Sequence, residues 1–146
     1  MRTPFLVAVG LCGIAATCTP TFSSGIAVAP APAASADRVR NAAFTLVTRM
    51  ATRFGLEPSR SGKRDVRCFS RSAVTLCARA LDREAHFRIH EFARGRFSPR
   101  ADTLRRELLD SLRAAFGERR VRECDWDVVS DGRLLGCSPV APTDSS

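Results

Sequence analysis

His86 and His90 are the only histidines in the 146 residues. Imidazole is the side chain best suited to hold a metal or move a proton near neutral pH. Both lie in "AHFRIHEF", where Phe87 and Ile89 recur with the two-residue period of a strand. A spacing of four puts the rings on one face of a strand, about 13 Å apart at roughly 3.3 Å per residue. One ion binds each imidazole nitrogen at about 2 Å, so the pair cannot share it. The pattern therefore predicts no metal centre, and no cofactor is expected.

Nucleophilic catalysis needs a nucleophile, a base and a group that orients the base. No G-x-S-x-G elbow occurs, and neither histidine follows a recognisable nucleophile. No catalytic residue is assigned. Asp125, Asp127, Asp131 and Gly132 approach a calcium loop of the form D-x-D-x-D-G. Val129 stands where the third acid belongs, and no glutamate closes the loop. An acidic strand face accounts for the aspartates better. Arg88, Arg94, Arg96 and Arg100 lie in or just beyond "HFRIHEFARGRF" (86–97), interleaved with aromatic residues. They are the candidate anion-binding residues, since basic and aromatic side chains together suit polyanions.

Six cysteines occur, none in C-x-x-C spacing, which argues against a thioredoxin-like site. Cys68, Cys77, Cys124 and Cys137 fall in the part that reads as folded. An even number in an oxidising compartment implies two disulfides. "VRCFS" and "AVTLCARAL" read as a hairpin centred on Ser72-Ala73, which sets Cys68 opposite Cys77. Asp131-Gly132 is a second hairpin signal and returns Cys137 towards Cys124. Exact register about that turn leaves these two cysteines two positions apart, so either the loop differs or the returning strand is irregular.

The elements that must position these residues begin after a leader. Arg2 is followed by an apolar run from Phe5 to Ala16, too short to span a bilayer and of the length of a secretory signal. Residues 1–36 read as a signal peptide with a low-complexity leader. Ala34-Ser35-Ala36 offers a cleavage site that would begin the mature chain at Asp37. Cys18, directly after the apolar run, resembles the lipidated cysteine of bacterial lipoproteins. That resemblance implies a signal over 1–17, lipidation at Cys18 and a tether over 18–36. Either ending implies export to the periplasm or beyond, with no transmembrane span in the mature protein.

Residues 37–138 read as one α+β domain, and 139–146 as a disordered tail. An amphipathic helix is expected over 38–54, capped by Asp37 and ended by Gly55. A strand is expected over 85–93, with a bulge at Phe92, where alternation breaks. A second helix follows, with Ser98 as cap and Pro99 at its first position. "RRVRECDWDVV" (119–129) reads as a strand with Cys124 and Trp126 facing a helix. The order is α-β-β-β-α-β(-β). It predicts a two-layer sandwich, two helices on one face of a mostly antiparallel sheet. The third strand and the one after the second helix could pair in parallel through a crossover.

The net charge is +8, and 22 of the 23 basic residues are arginine. Such a domain is drawn to anionic surfaces. The expected function is a non-enzymatic binding module of the envelope, stabilised by disulfides. Its expected partner is another envelope protein or an anionic cell-surface component, and nucleic acid is not expected. The alternatives are a polyanion- or surface-binding protein, a small hydrolase, or a protease inhibitor. An N-terminal helix followed by disulfided hairpins is similar to the cystatins, although the Q-x-V-x-G hairpin is absent and a second long helix is present. The element order also resembles accessory envelope lipoproteins.

Overall fold

The structure is a computed structural model and describes residues 21–29, 33–60, 63–92, 96–124, 129–130, 133–134 and 137–139. Helix α1 (Ala36–Arg53) forms where apolar residues return every three or four positions. Val39, Ala43, Leu46, Val47 and Met50 are buried along that stripe. Its cap is Ser35 rather than Asp37: Ser35 Oγ accepts the Arg38 N–H at 3.3 Å. Asp37 lies in the first turn and pairs with Arg40, where its charge suits the positive end of the helix. Gly55 then takes the left-handed conformation, φ +66°, which ends the helix.

Helix α2 (Pro99–Phe116) starts as its sequence predicts. Ser98 Oγ accepts from Ala101 N at 3.2 Å, and Pro99 holds a position where no N–H is needed. Ala101, Leu104, Leu108, Leu109 and Leu112 are buried, and Asp102 bridges to Arg106 at 3.2 Å. Ala115 is exposed, and the apolar face turns through Leu109 instead.

The strands are β1 (Thr21–Val28), β2 (Glu57–Ser59), β3 (Val66–Arg71), β4 (Val74–Leu81), β5 (Glu84–Phe92), β6 (Val121–Cys124), β7 (Val129–Ser130), β8 (Arg133–Leu134) and β9 (Cys137–Pro139). Seven form one sheet in the order β2-β3-β4-β5-β1-β6-β9, and β7 pairs with β8. All these pairings are antiparallel. Both helices lie on one face. Ile26, Val28, Leu76, Ala78, Phe87, Ile89 and Val121 point into a single core with the helix stripes. The two-layer α+β architecture is as the sequence implies. Each sheet edge is a three-residue strand containing a proline, Pro58 in β2 and Pro139 in β9. Proline cannot donate to a ladder, so neither edge invites a further strand.

Strand β1 corrects the expectation that residues 1–36 form a leader outside the fold. It pairs with β5 on one side and β6 on the other, and Ile26 and Val28 are fully buried. Small residues make "TFSSGIAV" read as low complexity, but Pro20 and Pro30 bound it, and Ile26 and Val28 occupy alternate positions as in a strand. Its presence also alters the crossover. Strands β5 and β6 run parallel to each other, since each is antiparallel to β1, but they do not pair.

The expected bulge at Phe92 is absent. The register runs unbroken from Val28 opposite Ala85 to Thr21 opposite Phe92. Alternation holds because Glu91 takes the inward position, 5 % exposed, and its carboxylate accepts the Ser98 N–H at 2.8 Å. At the end of the chain, Val129 lies opposite Leu134 and Ser130 opposite Arg133, so the turn keeps two-residue register. Cys124 nevertheless lies opposite Cys137. Four residues (125–128) separate the outgoing strands and two (135–136) the returning ones, which absorbs the two-position offset.

Candidate functional site

The sheet face away from the helices carries the polar side chains of alternate positions. One lateral row runs across all seven strands: Ser59, Cys68, Cys77, Arg88, Gly25, Cys124 and Cys137. Cys68 and Cys77 form a disulfide, their Cα atoms 4.1 Å apart. Cys124 is likewise disulfide-bonded. It lies on the helix-free face, not against a helix as expected; Trp126 lies outside the described residues. Arg88 occupies the middle of the row. Burial lowers its pKa from the ordinary guanidinium value, yet it stays a cation at neutral pH.

The adjacent row sets Ser70, Thr75, His90 and Ser23 side by side. Arg88 Nη2 donates to His90 Nδ1 at 3.0 Å, and Ser23 Oγ lies 3.1 Å from the same nitrogen. A guanidinium can only donate, so Nδ1 carries no proton and the neutral ring holds its hydrogen on Nε2. Burial first, and then the charge of Arg88, holds His90 below the ordinary imidazole range. The Phe92 ring meets His90 edge to face, centroids 4.9 Å apart, and is itself 56 % exposed. Thr75, Cys77, Arg88, His90 and Phe92 line a recess of about 310 Å³.

Ser23 beside His90 has the outline of a nucleophile and its base. The lone pair a base would use is shared with Arg88, and no acid among the described residues contacts the ring to orient it. The arrangement is chemically better suited to holding a negative group than to removing a proton. His86, on the same face, is buried and lies 3.4 Å from the Glu84 carboxylate. Arg88 stands between the two histidines on the strand. Among the described residues no three metal-binding side chains converge.

The other candidate arginines are not brought together with Arg88. Arg100 donates to the Phe54 carbonyl and Arg71 to that of Gly55, so two cations close the negative end of α1 on the helix side. Arg96 is exposed and lines a separate cleft of about 750 Å³ with Arg105 and Arg106. Those two are paired, Arg105 with Glu123 at 2.7 Å and Arg106 with Asp102. Arg94 lies outside the described residues. Cys18 lies outside them as well.

Sequence reading found Arg88 but missed Ser23, Thr75 and Phe92 as its neighbours. Ser23 falls in the segment that reads as leader. Only the pairing of β1 with β5 puts it beside His90. No helix among the described residues is long and apolar enough to cross a membrane. Comparison of the chain with protein-family models, curated proteins and solved structures gives no match.

Proposed function

We propose that this chain is an exported, non-enzymatic binding domain that engages its partner through the helix-free face of its sheet. The observation that carries the reading is the recess of Arg88, His90, Thr75 and Phe92 on that face. It combines a half-buried cation, a hydroxyl and an exposed aromatic ring, the composition of a recognition surface. The proline-bearing edges favour docking on the face over addition of a strand. Two disulfide-bonded positions on that face suit a protein outside the cytoplasm.

Export follows from the apolar run Phe5–Ala16. Cleavage after Ala36 would remove β1 and Ser35, the cap of α1, so processing belongs upstream of Thr21. Of the two endings in the sequence, Cys18 meets that condition. Lipidation there leaves Thr19 and Pro20 between the anchor and the first strand. Mass spectrometry of the native envelope fraction is expected to find an N-terminal lipidated Cys18. A soluble cytosolic protein with Met1 intact would overturn export. For binding, a photocrosslinker at Thr75 or Arg122 on the sheet face should capture an envelope partner, and one at Thr45 on the outer side of α1 should not. Capture from Thr45 alone would overturn the assignment of the face.

A further inference from the structure

We propose that the recess beside Arg88 and His90 binds a small organic carboxylate whose apolar body packs against Phe92. This rests on the reading of the helix-free face as the binding surface, and names the ligand chemistry it would take. The guanidinium is held by its contact with His90 Nδ1 and by its place between β4 and β1, so its donors are oriented in advance. Hydroxyls flank the imidazole on both neighbouring strands, Thr75 on β4 and Ser23 on β1. Thr75 can donate to a second oxygen of the same group, while the Ser23 hydroxyl donates to His90 Nδ1. The Phe92 ring and the Cys68–Cys77 disulfide supply apolar walls. A volume of about 310 Å³ fits a small ligand and lies at the low end of organic-ligand sites.

A carboxylate fits better than a phosphate dianion. The site offers one permanent cation and one neutral imidazole, whose Nδ1 accepts from Arg88. Of the remaining charged groups of this face, Glu57 stands in the His90 row three strands away on β2, and the others are on rows beyond Arg88. His86 lies near Glu84, Arg79 pairs with Asp65, and Arg122 stands in the row of His86. Strand β1 presents no charge there, and Glu91 of β5 points to the other face. An anion held by Arg88 leaves the Arg88–His90 bond in place, so Nδ1 stays an acceptor and the imidazole stays neutral. Binding therefore exchanges no proton at His90.

The test is titration of the intact protein with benzoate, followed by NMR of the His90 ring and by calorimetry in two buffers. Inorganic phosphate and chloride serve as competing anions. Saturable shifts at His90 and binding heats that do not depend on the buffer are expected. Benzoate should bind at least tenfold more tightly than phosphate. R88Q should weaken benzoate at least tenfold, and R88K should recover part of that loss; amide spectra establish that both are folded. Absence of a saturable His90 shift in the wild type, uptake or release of a proton on binding, phosphate equal to benzoate, or R88Q within twofold of wild type would each overturn the proposal. If benzoate fails while crosslinks from Thr75 persist, the ligand class falls and the binding face stands. If benzoate binds and the crosslinks fail, the pocket stands and partner docking falls.

Discussion

Arg88 lies directly opposite Cys77 in the β4–β5 ladder, one strand from the Cys68–Cys77 disulfide. On its other side Gly25 separates it from Cys124, which faces Cys137 across β6 and β9. The row places covalent ties near both sheet edges with the cation at the middle. Non-reducing peptide mapping should recover Cys68 with Cys77, and Cys124 with Cys137. Recovery of Cys68 joined to Cys124 or Cys137 would contradict the register. Replacing Cys68 and Cys77 by alanine should lower stability by about 2–3 kcal/mol, the chain-entropy value for so short a loop. Urea unfolding measures it.

A chain beginning at Asp37 should not fold. It lacks the strand between β5 and β6, and with it the ladders on both sides. A chain beginning at Thr19 should give a dispersed amide spectrum, and one beginning at Asp37 a collapsed one. Within β1, Ile26→Ala should cost about 2–5 kcal/mol, as a fully buried aliphatic truncation does. A folded Asp37 chain would show that β1 is dispensable.

Two phenylalanines of β5 test the facing of the sheet. Phe87 is fully buried against the helices, and Phe92 is 56 % exposed on the opposite face. Phe87→Ala should destabilise by about 3–5 kcal/mol. Phe92→Ala should change stability by less than about 0.5 kcal/mol. Equal effects in urea unfolding would invert the assignment.

These same positions show where sequence reading works. Leu104, Leu108 and Leu112 betray α2 because an apolar stripe with a Ser-Pro start has few other uses. Cys68 and Cys77 betray their hairpin because loop length sets register. Glu91 and Ser23 were not legible, for two reasons. A buried carboxylate breaks the hydrophobic pattern, and the Ser98 N–H that it accepts from lies past the end of the strand. Ser23 pairs with a residue 67 positions along the chain, so no local signal places it beside His90. Arg100 was legible as a cation, but its role at the carbonyl end of α1 depends on how two helices meet.

Glu91 yields a prediction of its own. Glu91→Ala removes the acceptor of the part-buried Ser98 N–H and leaves that donor without its partner, at a cost of about 1 kcal/mol. Glu91→Gln keeps a carbonyl acceptor and should retain most of the stability. Thermal unfolding of the two variants separates the hydrogen bond from the space the side chain fills.

The His90–Arg88 contact makes part of the stability depend on pH. Folding lowers the His90 pKa from the ordinary value near 6.5, through burial and the charge of Arg88. Between the folded and unfolded pKa values the unfolded chain binds more protons. Stability from this source is therefore present in full above about pH 6.5 and is lost as pH falls through the folded pKa. The difference in unfolding free energy between wild type and His90→Gln should accordingly shrink between pH 7.5 and pH 5. Carboxylates titrate in both proteins and cancel in that difference. In NMR, the His90 Cε1–H of the free wild type should titrate below 6.5. Arg88→Gln should raise that midpoint while leaving it below 6.5, since burial remains when the cation is gone. A wild-type midpoint at or above 6.5, or an unchanged midpoint in Arg88→Gln, would show that the guanidinium does not face this imidazole.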